Sequence, residues 1–284
     1  TEEAKRKYLP GLASGDLIGC FAMTEPNAGS DVAAMKTRAV RDGDYYVLNG
    51  SKMWISLAPV ADIALVYAYT DPTQRAKGMS AFIVDMKSEG ITVDPIKEKL
   101  GNWASPVGSI TFENVRVPKE NLLGQEGQGF AICMQQLDNT RLASAAGAVG
   151  VAQACLEAAV EYANTREQFG QQIGRFQMIQ DWIAQMVVEI EAARLLTYRA
   201  AYLKDKGVPN TRETSMAKLF ASEMASKCAD YALRIYSAYG YSEEYPVARY
   251  FRDAKYYQIV EGTSNIHKLI IALDALGYRK ANRS

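Results

Sequence analysis

The residue pattern changes its period near Leu123, and no single secondary-structure type accommodates both halves. Before that point short apolar runs recur, among them Tyr45-Tyr46-Val47-Leu48, Ile63-Ala64-Leu65-Val66-Tyr67 and Ala81-Phe82-Ile83-Val84, in alternation with polar residues. Asp42-Gly43, Asn49-Gly50, Lys77-Gly78 and Glu89-Gly90 punctuate them at turn positions. No helix-length segment separates these strands, so the pattern argues against a parallel crossover sheet and predicts an antiparallel sandwich or barrel. After Leu123 the residues Ala, Leu, Met, Gln and Glu recur at three- and four-residue spacing through 127–165, 177–206, 211–240 and 264–276. Gly207 and Pro209 close the second of these helices, and Asn210 with Glu213 forms a capping pattern for the third. The expected fold is α+β, with an antiparallel β-sandwich or barrel followed by a C-terminal four-helix bundle. Its expected parts are a terminal helical piece over 1–15, a β domain over 16–123 and a helical bundle over 124–284.

Composition removes several functions. Basic and acidic residues number 32 each and are interspersed, which leaves no basic stripe for nucleic acid or anionic lipid. No apolar run approaches the roughly 18 residues that span a bilayer, and no signal peptide precedes the first strand, so a cytoplasmic protein is expected. Cys20, Cys133, Cys155 and Cys228 stand far apart, which suits buried reduced thiols rather than disulfides or a CxxC metal site. His267 is the single histidine, so no metal centre is expected, and no nucleophile-elbow motif accompanies it. By its isolation it reads as an ordinary residue of the last helix.

Glu261 is the carboxylate of an otherwise apolar and small-residue run, Tyr257-Gln258-Ile259-Val260-Glu261-Gly262-Thr263-Ser264-Asn265-Ile266, where an aromatic-rich segment gives way to a helix. An apolar setting suits a carboxylate that works as a general base. Gly262 lets a ligand approach the backbone, and Thr263 and Ser264 offer hydroxyls and free amides at a helix start. A second role also fits Glu261, namely to complement the positive end of the helix over 264–276.

Three groups of residues set Glu261 in context: Thr24-Glu25-Pro26-Asn27-Ala28-Gly29-Ser30-Asp31 followed by Asn49-Gly50-Ser51-Lys52-Met53-Trp54-Ile55-Ser56; Arg166-Glu167-Gln168-Phe169-Gly170 with Gln177 downstream; and Glu244-Tyr245-Pro246 leading through Arg252-Asp253-Ala254 to Glu261. In this order and spacing they resemble the acyl-CoA dehydrogenases, flavoenzymes that desaturate an acyl thioester, and the likeness runs along essentially all 284 residues. The resemblance implies FAD in a cleft between the β domain and the bundle, an acyl-CoA substrate, an electron-transferring flavoprotein or similar carrier as acceptor, and a homotetramer. It also implies a preceding all-helical domain of roughly a hundred residues. That domain is absent from this sequence, whose opening Glu2-Glu3-Ala4-Lys5-Arg6-Lys7-Tyr8-Leu9 reads as a short surface helix that should follow something.

Removing hydrogens from the two carbons beside a thioester needs a base for the acidic proton and an acceptor for a hydride, which no side chain provides. Flavin suits the sequence better than nicotinamide. The glycine-rich run Gly124-Gln125-Glu126-Gly127-Gln128-Gly129 lacks the strand-loop-helix dinucleotide fingerprint and reads as a loop into a long helix. By resemblance Phe21, Met23, Thr24, Trp54 and Ser56 contact the flavin, and Gly29 and Ser30 serve both cofactor and the acyl-CoA pantetheine or phosphates. Arg166, Phe169, Gln177 and the stretch from Ile235 to Gly240 match contacts to a neighbouring subunit's FAD, and Thr263 and Asn265 also match FAD contacts. Asp138 and Arg141 match positions around the CoA moiety, and Val260 and Gly262 flank the base at the substrate. Structural roles stay open beside these: Trp54 as a core aromatic, Asn27 to Asp31 as a plain Asx or ST turn, Arg166 as a cation at a helix end, Asp138 and Arg141 as a surface ion pair. Ser237-Ala238 replaces the glycine pair common in the family.

Thr140 stands where a few members carry their catalytic Glu on the long helix, so the resemblance assigns the base to Glu261. The run from Asp138 to Arg141 and the tail from His267 look like glutaryl-CoA dehydrogenases. Decarboxylating members usually have Tyr directly before the base; Val260 stands there, which matches the branch that releases glutaconyl-CoA without decarboxylation. Enzymes for alicyclic acyl-CoA, a non-catalytic assembly or binding subunit, and a flavin oxidase on the same fold are the alternatives.

Overall fold

The structure, a computed structural model, describes residues 1–282; the last two positions of the expected bundle lie outside them. The chain divides into two compact units, Thr1–Lys99 with Trp103–Gln136, and Leu100–Asn102 with the residues from Leu137 onward.

The first unit opens with helix α1 (Glu2–Ser14), capped by the Thr1 hydroxyl and closed by Gly15 in the left-handed region. Strands β1 (Gly19–Ala22), β2 (Arg38–Asp42), β3 (Tyr45–Ser56), β4 (Ile63–Tyr69), β5 (Met79–Asp85), β6 (Ile91–Pro95), β7 (Val107–Pro118) and β8 (Leu122–Leu123) form one sheet. Its order is β6-β7-β3-β2-β4-β5-β8, with β1 beside β4. The consecutive pairs β2–β3 and β4–β5 are antiparallel, as the turn signals require, and β6–β7 and β3–β7 are antiparallel as well. Two pairings depart from the antiparallel expectation: β1 runs parallel to β4 over four residue pairs, and β2 meets β4 parallel at Arg38 and Tyr69. The β1 pairing is possible because β2, β3 and two short 3-10 turns, Val32–Ala34 and Ala58–Val60, intervene and return the chain to the same end of the sheet. Leu48, Val66, Phe82, Val84, Ile110 and Phe112 form this unit's core.

β3 carries two register irregularities against β7, between Leu48 and Gly50 and between Lys52 and Ile55. At the first, Gly50 takes φ 147°, and a Cβ there would lie 2.7 Å from the Thr37 Cα, so only glycine fits. At the second, Trp54 takes φ 62° and turns out of the sheet, 58 % exposed.

Helix α2 (Gly129–Thr165) carries the chain into the second unit, joined by α3 (Gln177–Asp205), α4 (Thr211–Tyr236), α5 (Pro246–Tyr257) and α6 (Ser264–Ala275). Three of the four expected helices keep their bounds within two residues. The third stops at Tyr236 because Ser237 adopts φ 57°, and a 3-10 turn follows over Ser237–Tyr241. α5 is an addition to the expected set, started by Pro246 at its first turn. Small side chains of α2 and α4, Ala148, Ala152, Cys155, Ala159, Ala221, Ala225, Cys228 and Ala229, let these helices share a closely packed core with Met186 and Ile190 of α3. Among the described residues α2 is the one helix that by length and composition would suffice to cross a membrane, a correction to the reading that no run comes near it. Its alanines, valines and leucines supply that hydropathy, and the stripe at 145, 148, 152, 155 and 159 lies in the bundle core.

Candidate active site

In the second unit, the link between α5 and α6 turns sharply through two left-handed residues, Glu261 at φ 55° and Gly262 at φ 88°. The left-handed region disfavours a side chain, so Glu261 stays there only because its surroundings fix it. α6 begins at once, with the Thr263 hydroxyl accepting from the Ile266 amide. On the other side, the Thr140 hydroxyl of α2 donates to Glu261 Oε2 at 2.5 Å. The carboxylate is partly exposed and held from one side.

Buried polar groups from three helices hold the backbone of this turn. Arg141 Nε of α2 donates to the Glu261 carbonyl at 3.2 Å, and Arg141 Nη1 pairs with Asp138 at 3.2 Å. Asp138 in turn accepts from the Thr211 hydroxyl at 2.7 Å, at the start of α4. His267 Nε2 of α6 faces the same Glu261 carbonyl at 3.2 Å, and Lys218 Nζ of α4 donates to the Gly262 carbonyl at 2.7 Å. A Cβ on Gly262 would come within 3.2 Å of His267 Nε2. Burial pushes His267 down to about 3, helped by the neighbouring Lys218 and Arg141 cations, so the ring is neutral and the proton belongs on Nε2, facing the carbonyl. Burial also lowers Lys218, to about 8, against the pull of the Glu261 carboxylate.

Elsewhere in this unit, Arg166, Phe169, Ile235 and Tyr239 help line a cavity of about 330 Å³. The Arg166 guanidinium lies 5.2 Å from the Tyr239 ring centroid. Phe169, at φ 52° on the tip of a two-residue hairpin, is 94 % exposed, and Gln177 is the exposed first residue of α3. Ser237 adopts a glycine-like φ of 57°, so the backbone conformation survives the replacement of glycine there. Gly240 is buried, where a Cβ would meet the Leu233 carbonyl oxygen at 2.6 Å.

In the first unit, Met23 and Thr24 follow β1 directly and are tied to β3. The Met53 amide donates to the Thr24 carbonyl at 2.8 Å. Lys52, fully buried, donates to the Met23 carbonyl at 3.1 Å and pairs with Glu25 at 2.9 Å. Glu25 also accepts from the Lys36 amide and from the Thr37 amide and hydroxyl. Burial alone would push Glu25 up, but Lys52, Thr37 and the Lys36 amide outweigh it and hold the carboxyl below the usual range. Paired backbone bonds between Glu25 and Ala28 close the turn that presents Gly29 and Ser30 at the surface. Phe21 is half-buried, edge-on to Tyr67 at 5.3 Å, and Ser56 is exposed at the end of β3.

Residues 20–115 match the family model of the acyl-CoA dehydrogenase middle domain, and residues 127–276 match that of the acyl-CoA dehydrogenase C-terminal domain. The chain belongs to the acyl-CoA dehydrogenase family. It is 55 % identical to the glutaryl-CoA dehydrogenase of Desulfococcus multivorans, over all of this chain and 73 % of that protein. A solved glutaryl-CoA dehydrogenase in complex with glutaryl-CoA superposes with a TM-score of 0.98 at 55 % identity, covering all of this chain and 72 % of that one. A chain from the structure of an electron-transferring flavoprotein of Acidaminococcus fermentans, studied for flavin-based electron bifurcation, gives 0.95 at 45 % identity, over 97 % of this chain and 73 % of that one.

As an acyl-CoA dehydrogenase, the protein brings Glu261, Gly262, Asp138 and Arg141 into one cluster, with Val260 half-buried and Thr263 and Asn265 on either side of the α6 start. Arg141 is 7 % exposed, so its contacts are to the Glu261 turn and Asp138 and not those of a surface ion pair. Trp54 is out of the sheet core. Sequence reasoning passed over Lys218 and set His267 aside. The legible signal for Lys218 was its place on α4 among the buried positions Thr214, Ser215, Ala217, Ala221 and Ser222, where a cation needs a partner.

Proposed function

We propose that the protein is an FAD-dependent acyl-CoA dehydrogenase that converts glutaryl-CoA to glutaconyl-CoA without decarboxylation. The observation that carries the reading is Glu261: a carboxylate held by Thr140 on a left-handed turn whose carbonyls are fixed from three helices. A base must be placed to within a fraction of an ångström of the proton that it takes, and this turn has the rigidity to do so.

The residues present suit a flavin. Trp54, exposed on a bulge beside the pinned segment Met23-Thr24, offers a flat apolar face, and Thr24 and Ser56 offer hydroxyls for a polar ring edge. Arg166 on its cavity suits a pyrophosphate. Bound flavin supplies the hydride acceptor that the side chains lack. Glu261 takes the proton from the carbon next to the thioester carbonyl, and Thr140 keeps its carboxylate oriented. Asp138, Ser30 and the Gly29 amide serve the CoA portion, and Val260 and Gly262 border the acyl chain.

Val260 supports the non-decarboxylating outcome. Loss of carbon dioxide from the oxidised dicarboxylate thioester calls for reprotonation of a dienolate, and Val260 brings no proton-carrying hydroxyl next to the base. The resemblance to a chain in an electron-transferring flavoprotein structure supports such a flavoprotein as electron acceptor. Anaerobic incubation of the FAD-loaded, full-length protein with glutaryl-CoA and an artificial acceptor, followed by mass analysis, tests the reading. Glutaconyl-CoA is expected. Crotonyl-CoA as main product refutes the non-decarboxylating assignment, and turnover of an alicyclic thioester alone moves the substrate to that class.

A further inference from the structure

Lys218 is fully buried, and a fully buried ammonium is destabilising unless local partners compensate. A methionine of similar length would fill the same space on α4 without that penalty. The groups facing Lys218 come from each element around it: Glu261 from the turn and Glu223 on its own helix favour its charge, while Arg141 of α2 opposes it. His267 of α6 is neutral there, and Asp138 is engaged by Arg141 and Thr211. The Lys218 ammonium donates to the carbonyl that directly follows the base, while Arg141 and His267 hold the base's own carbonyl. Fixing the Glu261 and Gly262 carbonyls from three helices restrains the peptide planes on both sides of the Gly262 Cα, and so the left-handed turn from which the carboxylate projects.

We propose that Lys218 is a positioning residue for Glu261, locking the left-handed turn through the Gly262 carbonyl and placing a positive charge behind the carboxylate. The proposal rests on the reading of Glu261 as the base.

Two experiments test it in the FAD-loaded, full-length protein. In the first, flavin reduction by an acyl-CoA that reduces the wild type is followed in single turnover across pH for wild type and Lys218→Met. The variant should reduce flavin roughly 10- to 100-fold more slowly at saturating substrate, with the substrate concentration for half-maximal rate little changed, as expected when orientation rather than binding is lost. The wild type should also lose rate as pH rises past about 8, where Lys218 gives up its proton, and the variant should not. Equal rates, or an alkaline limb that survives in Lys218→Met, overturns the proposal. In the second, 13C-labelled lysine is followed by NMR without substrate, in wild type and Glu261→Gln. Lys218 should titrate near 8 in the wild type and distinctly lower once the facing carboxylate is gone; an unchanged titration overturns the proposal. This measurement holds if Lys218→Met does not fold. If no acyl-CoA reduces the wild-type flavin, the functional reading fails by itself, and the NMR titration still decides whether the Lys218 charge is coupled to the Glu261 carboxylate.

Discussion

His267 stays neutral in the folded protein, and that makes stability depend on acid. Its folded value, about 3, lies below the ordinary 6.5. Below pH 6.5 the unfolded chain therefore takes up a proton that the folded chain refuses. The contribution is complete above about 6.5 and is lost as pH falls toward 3, at a slope approaching ~1.4 kcal/mol per pH unit. Urea denaturation at pH 7.5 and pH 5 should show His267→Gln losing less stability on acidification than the wild type. Equal losses would show that another group carries the acid sensitivity.

Among elements, β3 is tied to the segment after β1 through the buried Lys52 and Glu25 pair, which also holds Met23 and, through Thr37 and Lys36, the start of β2. Lys52→Met leaves a buried carboxylate without its cation and should destabilise the protein by ~3–5 kcal/mol. Adding Glu25→Gln removes the stranded charge and should recover a good part of that. A denaturation series on the two single variants and the double variant measures the coupling, and simple additivity would contradict it. Much at this scale was legible in the sequence. The turn glycines and alternating runs located β3, β4 and β5, although Asn49-Gly50, expected at a turn, is a bulge inside β3, and three- and four-residue spacing located α2, α3 and α6. The parallel seat of β1 was not legible, because a four-residue strand carries no signal of its partner. α5 was hidden because only Val247, Ala248 and Ala254 of its twelve residues are buried, which is too sparse a stripe to stand out among Arg249, Arg252, Asp253 and Lys255. Glu261 was legible because its neighbours in sequence are apolar. Lys218 was legible only as a cation on the small-residue face of α4; its partner, a backbone carbonyl 44 residues away, was not.

At the scale of the whole molecule, α3 leaves Val188, Leu195 and Tyr202 exposed at seven-residue spacing, with Val187 and Tyr198 beside them. That stripe supports a homo-oligomer, most simply a tetramer of paired dimers. Light scattering on the full-length protein should give four chains, and Val188→Glu with Leu195→Glu should lower that mass; a wild-type monomer with a full complement of FAD would contradict the assembly. The central claim, that Glu261 is the base of a flavin-dependent desaturation, is tested most directly by rapid anaerobic mixing of glutaryl-CoA with the FAD-loaded wild type and Glu261→Gln while the flavin absorbance is recorded. The wild type should bleach, and Glu261→Gln should bind FAD and thioester yet bleach roughly 10²–10⁴-fold more slowly. Bleaching of Glu261→Gln at the wild-type rate would contradict the claim.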